Sequence, residues 1–278
     1  VKVARVFPRR TKASPDDELA FFGPPGLFPP EVDQAEISVA FTWDLPAAER
    51  LAAEWSRVAP VGIGGPALGW PSGDFEPGRY LRPGYTITSR GCPNRCPFCD
   101  AWRREGGLRE LEIKDGWIVQ DDNLLACSTT HVDAVFAMLR RQKHESQLRG
   151  LEARLLTARH VDLLLSLRVG AAIFACDLPD DLDPLITAAR LLRSSGLIRG
   201  HVSHEFRAYV LIGYANDTPA AAELRLLQVL RLGLLPFAML YRDHAGKVAS
   251  PAAVWQKLRR EWIRPHIIMT KAKGLKPL

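Results

Sequence analysis

The chain has 278 residues, 47% hydrophobic and 24% charged, enough apolar material for one large core or for one domain with a smaller companion. No run of eighteen apolar residues occurs, and the opening Val1-Lys2-Val3-Ala4-Arg5-Val6 lacks the apolar stretch of a secretion signal, so a cytoplasmic protein without a membrane partner is expected. The formal charge of +6 is uneven: residues 246–278 hold eight Lys or Arg against the single acid Glu261, a net +7, which leaves the rest of the chain at −1.

The first eighty residues read as a small βαβ unit. Residues 36–41 form a strand, 46–59 an amphipathic helix, and 61–65 a second strand ending in a glycine turn. Proline-rich stretches at 23–30 and 66–83 are irregular connections. From residue 81, strand and helix signals alternate. Residues 85–89 and 116–120 read as strands, and Thr130 caps a helix over 131–142. A short strand at 153–157 precedes a leucine-rich helix at 159–168, and 171–176 is a buried apolar strand. Asp183 and Pro184 open a helix that Gly196 ends; 208–212 is a strand; Thr218 and Pro219 open a helix that Gly233 ends before a last strand at 237–241.

Alternation at this pitch means parallel strands joined by right-handed crossover helices. An eight-unit barrel takes about 250 residues. The expected fold is therefore α/β, a partial (β/α)6 TIM-like barrel over 81–245, between a reduced Rossmann-like unit at 1–80 and a basic segment at 246–278. In that segment Ser250 and Pro251 start a helix that runs to about Arg264, where Pro265 stops it. Val254, Leu258 and Trp262 share one face; Lys257, Arg260 and Arg264 share another. The positive stripe is a candidate contact for nucleic-acid phosphates, with a solubilising charged face as the alternative.

Cys92, Cys96 and Cys99, in Thr88-Ser89-Arg90-Gly91-Cys92-Pro93-Asn94-Arg95-Cys96-Pro97-Phe98-Cys99-Asp100, place three thiolates in eight residues, three and then two residues apart. Thiolates are soft ligands suited to iron–sulfur clusters and zinc, and three of them leave one metal position open, as catalysis requires. The alternative is a zinc-stabilised, non-catalytic nucleic-acid-binding module, with Cys127, Cys176 or His131 as fourth ligand. Five cysteines, three in one loop, make a poor disulfide framework and suit a reducing compartment.

This loop, with Phe98 as the aromatic residue before the last cysteine, resembles that of the radical S-adenosylmethionine enzymes. The string Ser-Arg-Gly-Cys-Pro-Asn-Arg-Cys-Pro-Phe-Cys is most similar to the subgroup that holds cobalamin-dependent and methylthiolating members. The resemblance implies a [4Fe-4S] cluster on Cys92, Cys96 and Cys99, whose open iron binds the amino and carboxylate groups of S-adenosylmethionine. One electron, from a donor such as flavodoxin or ferredoxin, then cleaves the sulfonium to a 5'-deoxyadenosyl radical that abstracts hydrogen from a substrate. It also implies a partial barrel with the cysteine loop after its first strand. Cys127 has no second cysteine group beside it, so a single cluster is expected.

On the family's pattern the strand ends carry the site. Asp121, Asp122 and Asn123 follow the second strand, where the family contacts the cofactor's amino group, although the Gly-Gly-Glu of many members is absent. Glu152 and Arg154 open the third strand and face the barrel mouth; Cys176 ends the fourth as a thiol able to give a hydrogen atom or face the radical. Ile212 and Gly213 end the fifth, where the family packs adenine, and Tyr241 ends the sixth as a wall for adenosine or substrate. Each position has a plainer reading as an acidic turn, an exposed strand pair, a buried cysteine or a capped loop. The N-terminal unit resembles a shortened cobalamin-binding domain, but no histidine precedes His131, which argues against cobalamin. Compact size, shortened unit and basic tail resemble radical proteins encoded by bacteriophages, some of which help to modify thymine in DNA. A nucleobase or nucleic acid is the expected substrate, with a small metabolite or peptide as the alternative.

Overall fold

A computed structural model describes residues 1–275; Lys276, the last cation of the tail, lies outside them. The chain forms two compact units, Val1–Gly116 with His244–Gly246, and Trp117–Asp243 with the segment from Lys247 onward. The division between these units comes after the cysteine loop.

In the first unit β1 (Val3–Phe7), β2 (Ala20–Phe22), β3 (Gln34–Ser38) and β4 (Val61–Gly64) form an all-parallel sheet in the order β2-β1-β3-β4. This doubles the two strands expected. The helix α1 (Leu45–Trp55), with Pro46 in its first turn, sets Ala48, Leu51 and Trp55 against Ala4, Val6, Ala35 and Ile37. It ends at Trp55, whose indole donates to the Gly23 carbonyl at 3.0 Å. On the other side of β1 and β3, Arg5 donates to the Gly78 and Arg79 carbonyls at 3.0 and 2.8 Å, and Glu36 accepts from Arg79 and Tyr80. The far end of the proline-rich connection is thus tied to the sheet by polar groups, while Ala67 at its start packs on the sheet's core.

The strand expected at 85–89 is two short pieces, β5 (Tyr85–Thr86) and β6 (Ser89–Arg90). The second pairs antiparallel with β7 (Arg109–Glu110), and the cysteine loop and α2 (Ala101–Glu105) lie between them.

The second unit alternates as expected. Strands β8 (Ile118–Val119), β9 (Ser146–Leu151), β10 (Val169–Ala175), β11 (Phe206–Ile212) and β12 (Leu235–Leu240) pair in sequence, all parallel. Helices α3 (Thr129–Arg141), α4 (Ala158–Leu165), α5 (Leu182–Ser194) and α6 (Pro219–Arg231) connect them. Thr218 caps α6, accepting from the Ala221 N–H at 3.2 Å. Ser128, not Thr130, caps α3, accepting from the His131 N–H at 3.2 Å. The third strand is β9; residues 153–155 form a 3-10 turn instead. Leu148, Ala172, Phe174, Ala208, Val210, Ile212 and Ala238 are almost wholly buried on the helix-covered side of the sheet.

The C-terminal segment belongs to this unit. Trp255, Leu258 and Trp262 of and after α7 (Ala252–Glu261) are buried, and the Ala238 N–H of β12 donates to the Trp262 carbonyl at 3.1 Å. Trp255 takes the place expected of Val254, which is 43% exposed. Pro265 does not end the helical region; it opens α8 (Pro265–Ala272) from the first turn, where a missing N–H leaves no helical bond unmade. No helix among the described residues is long and apolar enough to cross a membrane.

Candidate functional site

The first group of site residues is the cysteine loop. Gly91 stands at its neck with φ 80°, and a Cβ there would overlap the Gly107 carbonyl oxygen and come within 3.3 Å of that of Gly106. Only glycine lets the two sides of the neck approach so closely. The loop is then held from α2. The Trp102 indole donates to the Cys96 carbonyl at 2.9 Å, and Arg103 donates to the carbonyls of Cys99 at 2.9 Å and Pro97 at 3.2 Å. The Cys99 N–H closes a turn onto the Cys96 carbonyl at 3.1 Å. Arg103 also lies over the Trp102 ring, 4.6 Å from its centroid, so the two clamps brace each other. Cys92, Cys96, Phe98 and Cys99 are all half-buried.

The second group is a polar row across the strand ends of the second unit. Asn123, after β8, donates to Glu152 after β9 at 2.7 Å. Arg154 lies 3.8 Å from Glu152 and donates to Asp181 at 2.8 Å. Asp181 accepts from the Asp177 and Leu178 N–H groups after β10 at 3.0 and 2.8 Å. Asp177 accepts from the Leu211 N–H of β11 at 3.1 Å. Asp217 then accepts from the Gly213 N–H at 2.9 Å and is gripped by both Arg225 nitrogens at 3.0 and 2.8 Å. The same arginine donates to the Leu211 carbonyl at 3.0 Å. Burial, and then the nearby Asp181 charge, push the Asp177 carboxyl up to about 7, against the pull of the Leu211 N–H and Arg225.

Gly150 makes the start of this row. It bulges from β9 with φ 70°, and a Cβ there would overlap the Asp121 carbonyl and stand 3.0 Å from that of Asp122. The Asp-Asp-Asn turn therefore rests directly on the β9 backbone. Asp121 and Asn123 are buried, and Asp122 is half-buried. Glu152 and Arg154 follow the end of their strand where the sequence placed them at its start, because β9 lies earlier than expected. Tyr241 meets Tyr214 edge to face, ring centroids 4.9 Å apart.

Two of the expected positions are buried. Cys176 lies just past β10 on the helix-covered side, beside Asp177, Asp181 and Arg225, and is 1% exposed. Burial, then Asp181 and Asp177, push its thiol up to about 12, so it is held as a buried, protonated thiol. Ile212 is fully buried, and its carbonyl accepts the Tyr241 N–H at 2.9 Å. A Cβ on Gly213, which has φ 75°, would stand 3.2 Å from Leu240 and 3.4 Å from Trp255 of α7. Lys257, Arg260 and Arg264 are exposed on the outer face of α7 and the turn after it, as their spacing implied.

Trp102, Arg103, Asp181, Asp217 and Arg225 were not among the expected site residues. An aromatic and an arginine just after the third cysteine, and aspartates ahead of Pro219 and Leu182, were the available signals.

Compared with protein-family models, with curated proteins and with solved structures, the chain matches none. Among the described residues no three His, Cys, Asp or Glu side chains are gathered as a single metal ion would need. The donor chemistry of the loop nevertheless fits a cluster: three soft sulfurs, half-buried, on a loop whose carbonyls are tied to α2, in a unit with no further cysteine.

Proposed function

We propose that the chain is a radical S-adenosylmethionine enzyme acting on a nucleobase. The observation that supports this best is the braced three-cysteine loop, the one place where soft donors of the right number share a short segment. A four-iron four-sulfur cluster with S-adenosylmethionine bound would supply one-electron cleavage of the sulfonium and thereby a 5'-deoxyadenosyl radical for hydrogen abstraction. Cys92, Cys96 and Cys99 would hold the cluster as thiolates, with Phe98 shielding the loop. At the strand ends Glu152 and the Asp121-Asp122-Asn123 turn suit an ammonium group, Arg154 suits a carboxylate, and the Tyr214–Tyr241 pair suits a flat ring.

The second unit, with five parallel strands alternating with helices, is read as part of an open (β/α)6 barrel. Lys257, Arg260 and Arg264 would meet the phosphates of DNA or a nucleotide, and flavodoxin or ferredoxin would deliver the electron in a reducing cytoplasm.

The test is anaerobic reconstitution with iron and sulfide, then reduction with S-adenosylmethionine present and assay for 5'-deoxyadenosine. Wild type is expected to form it and Cys96→Ala to form none. A colourless protein that holds one zinc and cleaves nothing contradicts the proposal.

A further inference from the structure

The geometry points to a nucleotide seat on the open face of the second unit's sheet, with the base against Tyr209, Phe237 and Met239 and the phosphate toward Arg207 and Arg149. The inference rests on the nucleobase reading for its role in catalysis, and its residues come from strand register alone. Parallel pairing puts Ile173, Arg207 and Leu235 in one row, Ala175, Tyr209 and Phe237 in the next, and Leu211 and Met239 in a third. Alternation along a strand makes this one face, opposite the buried Phe174, Ala208, Val210 and Ala238.

All-parallel sheets usually have both faces covered. Here the face opposite the helices is closed at Ile173 and Leu235, which are buried, and opens toward the strand ends: Met239 is 45% exposed, Ala175 is exposed, and Tyr209, Leu211 and Phe237 are half-buried. The Tyr209 and Phe237 rings meet edge to face at 80°, centroids 6.4 Å apart, an arrangement that leaves a ring face for a third aromatic group. Met239 adds a polarizable thioether two residues beyond Phe237.

The cations supply the other half. Leu148 and Leu151 pair with Ala172 and Phe174 on the helix side, so Arg149 between them shares the open face and the row of Ile173 and Arg207. The two arginines stand two strands apart, roughly 10 Å between backbones, with an apolar residue between. Arg207 donates from Nε to the His204 carbonyl at 2.7 Å and has no ion-pair partner among the described residues, which leaves the end of its guanidinium for an anion. Rings and a thioether beside paired guanidiniums match a planar base that carries a phosphate. A free nucleotide and a nucleotide within a strand both offer that chemistry.

Calorimetric titration of the whole chain, without iron or S-adenosylmethionine, tests this with deoxynucleoside 5'-monophosphates, the matching nucleosides and a short single-stranded deoxyoligonucleotide. Wild type is expected to bind the monophosphates. Arg207→Gln should weaken them about tenfold and leave the nucleosides unchanged, while Phe237→Leu should weaken both. Thermal melts establish that each variant is folded, and if Phe237→Leu is not, Arg207→Gln decides alone. A free nucleotide as ligand predicts that Lys257→Gln/Arg260→Gln/Arg264→Gln leaves monophosphate binding intact and that the oligonucleotide gains nothing. A strand as ligand predicts tighter oligonucleotide binding that the triple variant weakens. Absence of binding to the monophosphates and to the oligonucleotide alike, or binding that neither Arg207→Gln nor Phe237→Leu changes, overturns the inference. Because no cofactor is present, that result stands apart from any failure of 5'-deoxyadenosine formation.

Discussion

The side chains of α2 that hold the cysteine loop reach back only a few residues, whereas several ties at the strand ends of the second unit span long stretches of chain. Trp102 reaches back six residues to Cys96 and Arg103 four to Cys99. Asn123 and Glu152 stand 29 residues apart, Arg154 and Asp181 27, and Asp177 and Leu211 34. A loop braced by its own next helix can keep its shape while a sheet elsewhere in the chain changes. A row assembled from four strand ends is only as good as the register of the sheet, since a slip of one residue turns every side chain to the other face. The two regions should therefore fail separately, and respond differently to burial and to pH.

The largest effect is expected in the row. Arg225→Met leaves Asp217, 8% exposed, without its bidentate partner and should cost the second unit about 3–5 kcal/mol in urea unfolding. Next come the two glycines, which separate the regions. Gly150→Ala forces a Cβ into the Asp121 carbonyl and should cost about 3 kcal/mol while leaving iron uptake by the loop intact. Gly91→Ala should do the reverse, abolishing iron uptake with little change in the melting of the second unit.

The pH response sharpens the contrast. Asp177 has a folded value of about 7 against an ordinary value of 3.8, so its contribution is most favourable below about pH 4 and is lost as pH rises through 7. Asp177→Asn keeps an oxygen for the Leu211 N–H and should gain up to about 4 kcal/mol on wild type between pH 4 and 8. Glu105, in the first unit, has the opposite sign. Burial works to raise its carboxyl, but Arg104 and Ser72 hold it below its ordinary value, so its contribution is present above pH 4.5 and is lost as pH falls. Unfolding followed by a probe in each unit should show acid weakening the first and alkali the second.

The smallest effect on stability belongs to the exposed stripe. Lys257→Gln/Arg260→Gln/Arg264→Gln should change stability by less than about 0.5 kcal/mol. It should also lower the salt slope of single-strand binding by about 2, as expected for lost phosphate contacts.

What the sequence disclosed follows the same division. The cysteine spacing is a local pattern and was legible at once. Strands β10, β11 and β12 were legible within two residues at either end because both faces carry apolar side chains. Strand β9 was not: Gln147 and Arg149 interrupt its leucines and Gly150 bulges from it, while the more apolar Ala153-Arg154-Leu155-Leu156 that follows forms a turn. Strands β1 and β2 are short, and pairing to partners such as Gln34 or Ala20 sustains them. Pro265 read as a stop because a proline before a helix and one after it look alike without the packing that chooses. The row itself could not be seen, since the approach of Asp177 to Leu211 exists only once β10 and β11 are in register.

The most direct test of the central claim is a count of metal and acid-labile sulfide on anaerobically purified and reconstituted chain, beside Cys92→Ala, Cys96→Ala and Cys99→Ala. About four iron and four sulfide per chain, lost in each variant, is the predicted result. One zinc per chain with no sulfide would contradict it.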